Sequence, residues 1–463
     1  MSIPPSALRV AVVGSGPSGF YAVDALLKSA PGIQVDLIDR LPTPYGLVRG
    51  GVAPDHPKIK SVTRVFEKTA QLSGFRFIGH VHIGEDVSTA ELRRCYDAVI
   101  YAIGAETDRH LDIPGEHLQG SHPATELVAW YNGHPDYADR RFDLTVPSVA
   151  VIGIGNVAMD AVRILSSSPD RLATTDLALH ALDALRAANF TDLHIIARRG
   201  PVQAACTTPE LRELGELDGV DVMVHPRDLE LDPVSAAHLA EGGDRTAENN
   251  LAILRQWAER GSTGAPRRIH FHFSASPVEI TGTHRVEGIV VARNTLVADG
   301  HGSVRAVITD ETRTHPVGMV LRSVGYRGVA LEGLPFDHAR GIIPNMGGRV
   351  VEGPGSATMI RGVYVTGWIK RGPHGIIGTN KTCAAETVDH LLADAVAGRI
   401  APAEGRAGDF DQLLQDRGIE TLDWTDWQGL DRIEVERGAA AGRPREKLVD
   451  VEAMLAAARQ GRR

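Results

Sequence analysis

Two short runs in this chain have the residue types and the spacing to bind a dinucleotide. In VAVVGSGPSGF, Gly14, Gly16 and Gly19 follow an apolar stretch at GxGxxG spacing, and Asp39 comes twenty residues after Gly19. In VAVIGIGNVAMD, Gly153, Gly155 and Ala158 repeat the pattern as GxGxxA. The first glycine of such a run permits a tight strand-to-helix turn. The second lets backbone amides approach a pyrophosphate, and the third position lets the helix pack on the strand with its N-terminus toward the phosphates. Glycines in a turn can do no more than tighten it. The carboxylate at the end of the next strand, where a ribose hydroxyl would donate to it, favours nucleotide binding for the first run.

The second run ends differently. Its next apolar stretch is HIIARRG, so Arg198 and Arg199 stand where the first run has Asp39. Alone, two adjacent arginines read as a solvated surface pair. After a second fingerprint they read as a 2'-phosphate clamp, because guanidinium groups match phosphate oxygens bidentately and a carboxylate would repel them. Asn156 adds an amide near the phosphates. Two nucleotide sites with opposite ribose chemistry imply a flavoprotein, with FAD on the first fingerprint and NADP(H) on the second.

These residues need a scaffold that alternates strands and helices. Short β-branched runs at 8–13, 34–38, 97–103, 148–152 and 193–197 read as buried parallel strands, with helical patterns at 58–72 and 157–166. The fold class expected is α/β, with two Rossmann-like dinucleotide-binding domains. YDAVIYAIGA (96–105) and GMVLRSVGYRG (318–328) are similar strand-then-glycine crossings. They bracket an insertion of about 215 residues, an ordinary domain size. The expected organisation is therefore a discontinuous FAD domain, 1–108 and 325–463, with an NADP domain, 109–324, inserted in it. The stretch 269–292 alternates and reads as an antiparallel meander. A helix is expected over 378–397, capped by Thr379 and stopped at Gly398, and another over 447–459 in an otherwise polar tail.

Composition narrows the function classes. The chain has 463 residues, a formal net charge of -9, 43% hydrophobic and 23% charged residues. That balance opposes general nucleic-acid binding, and no apolar run is long enough for a membrane span. The N-terminus enters its first strand too soon for a signal or transit peptide. Cys95, Cys206 and Cys383 are far apart and form no CxxC. A disulfide framework, a metal centre and a dithiol relay are therefore not expected, and a reducing cytoplasm is.

Four segments go beyond a generic class: LPTPYGLVRGGVAPDHPKIK (41–60), GIGNVAMD (153–160), RRGPVQAACTTPELREL (198–214) and TGWIKRGPHGIIGTNK (366–381). They resemble the adrenodoxin-reductase type of NADPH:ferredoxin reductase, particularly its bacterial members, over nearly the whole chain. Gly367-Trp368 stands where most two-dinucleotide flavoproteins have Gly-Asp. The resemblance implies FAD contacts from Ser15, Asp39, Leu47, Ile83, Trp368, Gly375, Ile376 and Ile377. It implies NADP contacts from Arg109, Asn156, Val157, Arg198, Arg199 and Glu210, with Gly375 near the nicotinamide, and it places His56 and Glu213 beside the reacting rings.

Taken alone, those last residues have plainer readings. Thr208 as N-cap and Pro209 in the first turn put Glu210 and Glu213 on one face of a new helix, where acids compensate the helix dipole. His56 lies between Pro54 and Pro57, a stretch expected to be rigid and extended. The implied partner is an acidic iron-sulfur ferredoxin, with Arg255, Arg260, Arg267 and Arg268 as candidates for its docking patch. The competing readings are the NADPH-oxidising subunit of a glutamate-synthase-type enzyme, which normally brings N-terminal cysteine clusters, a flavin monooxygenase, a general NADPH diaphorase, and a nucleotide sensor without turnover.

Overall fold

The run RVAVV forms the strand Arg9–Val13, and its alternation sets the layers of the fold. Val10 and Val12 enter one apolar cluster with Phe20, Leu26 and Val388, whereas Ala11 and Val13 enter another with Val99, Val363 and Ile369. A strand buried on both faces needs cover on both, which a doubly wound sheet provides. The computed structural model describes residues 4–300 and 303–461. The chain divides into two units, one running to Thr107 and resuming at Tyr326, the other Asp108–Gly325.

In the first unit seven strands lie in the order Asn345–Met346, Arg349–Val351, Met359–Val365, Ala98–Tyr101, Arg9–Val13, Gln34–Ile38, Phe75–Ile78. The last five are mutually parallel, Arg349–Val351 pairs antiparallel with them, and Asn345–Met346 pairs antiparallel with it at the edge. Pro17–Ser29 and Thr379–Val396 pack together on one face. In the second unit six parallel strands run Ser121–Pro123, Met319–Arg322, Ser148–Ile152, Asp192–Ile196, Arg267–His272, Val220–Val224. A three-stranded antiparallel sheet, Ala275–Thr281, Gly288–Ala298 and Val304–His315, shares an apolar core with one face of it.

The α/β class and the paired parallel sheets agree with the sequence reading, and several elements do not. The expected helix 58–72 is two helices, Pro57–Lys60 and Thr63–Thr69. Ser61 ends the first by donating its hydroxyl to the Lys58 carbonyl at 2.6 Å, competing with the backbone ladder. Residues 267–272 are not the start of a meander but an inner strand of the parallel sheet, and the antiparallel part reaches to His315. Thr379 is the first residue of its helix, and the N-cap position belongs to Gly378. Gly398 follows the helix end with φ 66°. The tail carries three helices, Asp409–Asp416, Trp424–Ala440 and Val451–Gly461.

Candidate dinucleotide sites

The two fingerprints fold to the same local geometry. Gly14 has φ 101° and Gly153 φ 124°, left-handed values that a side chain would strain. The Gly14 N–H donates to the Ile38 carbonyl at 2.7 Å, and that of Gly153 to Ile196 at 2.9 Å. A Cβ at Gly14 would lie 2.6 Å from the Ala102 oxygen, and one at Gly153 2.2 Å from the Ser323 oxygen. A Cβ at Gly16 or Gly155 would meet nothing within 4 Å, so both second glycines face open space. Gly19 packs on Gly14, where a Cβ would come to 1.9 Å of its oxygen, and Ala158 is fully buried.

In the first unit Asp39 lies where the fingerprint needs it. Its Oδ2 accepts from the Ser15 N–H at 2.8 Å and the Ser15 hydroxyl at 2.5 Å, and its Oδ1 from the Leu41 N–H at 3.0 Å. Both unusual segments are tied to this turn. Tyr45 donates its N–H to the Ser15 carbonyl at 3.1 Å and takes φ 87°, a conformation unfavourable for a tyrosine and typical of functional loops. A Cβ at Gly367 would sit 2.1 Å from the Ser18 hydroxyl, so only glycine fits. The Ser18 hydroxyl bonds Asn380 Oδ1 at 2.9 Å, which Arg371 also reaches at 2.9 Å.

These ties leave a set of groups suited to a flat, polar-edged ligand. Among the described residues the buried Trp368 indole N–H has no hydrogen-bond partner, and its ring meets Tyr326 at 5.3 Å. Ile376 is 67% exposed and Leu47 38%, while Gly375 has φ 84° beside a half-buried Ile377. An orphaned buried donor and displayed apolar side chains fit a planar ring system with polar edges. Ile83 is different. It is 4% exposed, and its side chain is taken up by the core around Val81, Val87 and Leu92. His56 is half-buried and not extended, with φ -107° and ψ 60°, and its carbonyl accepts from Ile59 and Lys60 at the start of a helical turn.

In the second unit Arg198 is exposed and Arg199 half-buried, and among the described residues neither has a carboxylate partner. Burial and then the Arg198 charge lower the pKa of Arg199, so the pair strains against itself. An opposite charge between them would relieve that repulsion. Asn156 begins the helix Asn156–Ser166, and its Oδ1 accepts the Thr207 N–H at 2.9 Å, which leaves Nδ2 as the group to present. Val157 follows it, half-buried. Arg109 is exposed, with its N–H bonded to the Gly325 carbonyl at 3.1 Å.

One buried residue organises the acids. Arg163, 1% exposed, reaches Glu210 at 2.8 Å and Glu213 at 3.2 Å through Nη1, and Asp160 at 2.6 Å through Nη2. Sequence reasoning missed it, since an arginine in VAMDAVRILS reads as a solvated residue of an amphipathic helix. The N-cap of Thr208–Leu214 is Thr207 rather than Thr208, and it makes no side-chain cap.

The chain is 48% identical to NADPH-ferredoxin reductase FprA of Mycobacterium tuberculosis over 96% of its own length and 98% of that relative. The chain belongs to the NADPH:ferredoxin reductase family. This reductase is also 42% identical to the mitochondrial NADPH:adrenodoxin oxidoreductase of Arabidopsis thaliana, over 97% of this chain and 95% of that one. The solved structure of Mycobacterium tuberculosis FprA in complex with NADPH matches it with a TM-score of 0.91 at 46% identity, covering 98% and 100% of the two chains. No family model matches the chain.

The docking patch expected of the reductase is smaller than its sequence suggests. Arg268 is bidentate to Asp192 at 2.7 and 2.8 Å. Arg267 lies over Phe190 and donates to the Leu165 and Ser166 carbonyls. Arg255 and Arg260 remain exposed on Arg245–Arg260. Among the described residues no helix is long and apolar enough to cross a membrane.

Proposed function

We propose that this chain is a flavoprotein that oxidises NADPH and passes single electrons to a ferredoxin, with FAD held by the discontinuous unit and NADP(H) by the inserted one. The observation that carries the assignment is the contrast between two fingerprints of one geometry, one ending in the Asp39 carboxylate and the other in an arginine pair that has no carboxylate partner among the described residues. When bound, FAD supplies the two-electron to one-electron conversion that the reaction requires. The protein's part is binding, orientation and charge.

Gly14, Gly16 and Gly19 would receive the FAD pyrophosphate, Asp39 its ribose, and Trp368 with residues 375–377 its ring. Gly153 and Gly155 would receive the NADP pyrophosphate, Asn156 Nδ2 would donate to it, and Arg198 and Arg199 would clamp the 2'-phosphate. Glu210 and Glu213, oriented by Arg163, would accept hydrogen bonds at the nicotinamide half. His56 would orient and exchange protons with the flavin as a hydrogen-bonding group, not as a nucleophile. Arg255 and Arg260 would contribute to docking an acidic ferredoxin. Cys95, Cys206 and Cys383 are buried free thiols, which supports a reducing, cytoplasmic setting.

The test is anaerobic. The yellow protein is mixed with NADPH while flavin absorbance is followed, and an iron-sulfur ferredoxin is then added with cytochrome c as reporter. Prompt bleaching, with cytochrome c reduction that rises with ferredoxin and falls with salt, is the expected result. Bleaching to which ferredoxin adds nothing would replace this reading with that of a general NADPH diaphorase.

A further inference from the structure

Four histidines of the inserted unit lie together on its sheets. His194 and His270 are register partners on neighbouring parallel strands, His272 is two residues further along, and His315 ends the last strand of the antiparallel sheet. His194 Nδ1 and His272 Nε2 are 3.0 Å apart. The His315 ring lies 5.0 Å from that of His194 and 4.6 Å from that of His272. One nitrogen from each of these three rings falls within 4.8 Å of the others. His270 faces elsewhere, with its Nε2 on Asp192 at 2.7 Å and its ring stacked on His194 at 4.8 Å.

We propose that His194, His272 and His315 are the ligands of a site for a borderline divalent transition metal, zinc foremost, which clamps the antiparallel sheet to the parallel one. Zinc takes imidazole nitrogens at about 2.0–2.1 Å, so tetrahedral ligands stand about 3.3 Å apart. The spacing between His194 and His272 is already near that, and small ring movements bring in His315. Three nitrogens leave a fourth position for water. Arg313 opposes a cation, and the Asp192 carboxylate that His270 contacts is already paired with Arg268, so the three imidazoles must supply the affinity. Nearby core residues Ile152, Ile196, Val291 and Val317 limit water on the inner side.

The test uses the full flavin-loaded chain, stripped with a chelator, and titrates zinc chloride against a chromogenic competitor. One equivalent should bind and raise the thermal midpoint. His272→Gln and His315→Gln should each weaken binding by about 100-fold or more and abolish the thermal shift, whereas His238→Gln, an exposed histidine elsewhere in the unit, should change neither. Should His315→Gln fail to fold, His315→Cys keeps a ligand at that position. With cobalt it should add a sulfur charge-transfer band that the parent protein lacks. Substoichiometric zinc binding, equal affinity in His272→Gln, or a silent His315→Cys cobalt spectrum would each overturn the site.

Discussion

Arg198 and Arg199 illustrate how much one position can decide. Each charge-assisted bond to a phosphate is worth about 1.5–3 kcal/mol, so removing two should raise the KM for NADPH by about 100-fold or more. The Arg198→Ala, Arg199→Ala double variant should do this while kcat and the KM for NADH change little. An unchanged preference for NADPH over NADH in steady-state assays would remove the pair from specificity. The turn geometry of the fingerprint glycines was legible in the sequence because it follows from local backbone conformation and spacing. Arg163 was not, because its meaning lies in Glu210, forty-seven residues away, and in the loss of its water. The core place of the Ile83 side chain was equally out of reach, since an isolated apolar residue among polar ones gives no periodicity to read.

The tail helices show what periodicity leaves out. Trp424–Ala440 has no clear apolar stripe, because its most buried polar residue, Glu434, faces inward toward Arg49. Glu434 accepts from Arg49 Nη1 and Nη2, at 2.8 and 2.5 Å, from Arg445 at 3.2 Å and from the Leu448 N–H at 2.9 Å. Burial pulls its pKa upward, but these partners more than offset that and hold it below the usual range. Trp427 packs edge-on to Tyr45 and under Arg49, so the helix supports the segment 41–60 that carries Leu47 and His56. Glu434→Gln would turn an amide N–H toward a guanidinium, at a cost of about 3–5 kcal/mol. The expected result is a lower thermal midpoint and faster flavin loss, read by fluorescence of the released cofactor. Full flavin retention would separate the tail from the site.

An edge strand supplies a pH dependence. His122, on Ser121–Pro123, is lowered to about 4 by burial first and then by Arg322 and Arg140. The unfolded chain takes up this proton near pH 6.5 and the folded one only near 4, so stability falls as pH drops through that window, by about 3 kcal/mol at most. His122→Gln should flatten the loss of thermal midpoint between pH 7.5 and 4.5, and parallel curves would show that other groups dominate. Histidines also explain the misread strand 267–272. His270 and His272 give it the alternation of a half-exposed strand, although it is an inner strand of a parallel sheet.

At the scale of the molecule, the inserted unit owns a continuous chain segment, its own six-stranded sheet and its own core. Residues 108–325 expressed alone should fold and be retained on immobilised NADP+, and should elute with free NADP+ before NADH. Heteronuclear spectra without dispersion would show that the segment depends on its flanks. The strands beside the two crossings, Ala98–Tyr101 and Met319–Arg322, are each followed three residues on by a glycine with positive φ, Gly104 and Gly325, which is the signal the sequence carries there.

The discontinuous unit has a different history during synthesis. Ala98–Tyr101 receives its second neighbour only when Met359–Val365 has been made, and Arg49 its counter-charge only when residue 434 has emerged. The ribosome therefore delivers a first segment that must wait, with Val99 and Tyr101 unburied, while the inserted unit is translated and completes its sheet. Chaperone occupancy on nascent chains should concentrate on the early segment and end late, and a message broken shortly after residue 325 should yield a protein with one finished unit and one sticky remnant.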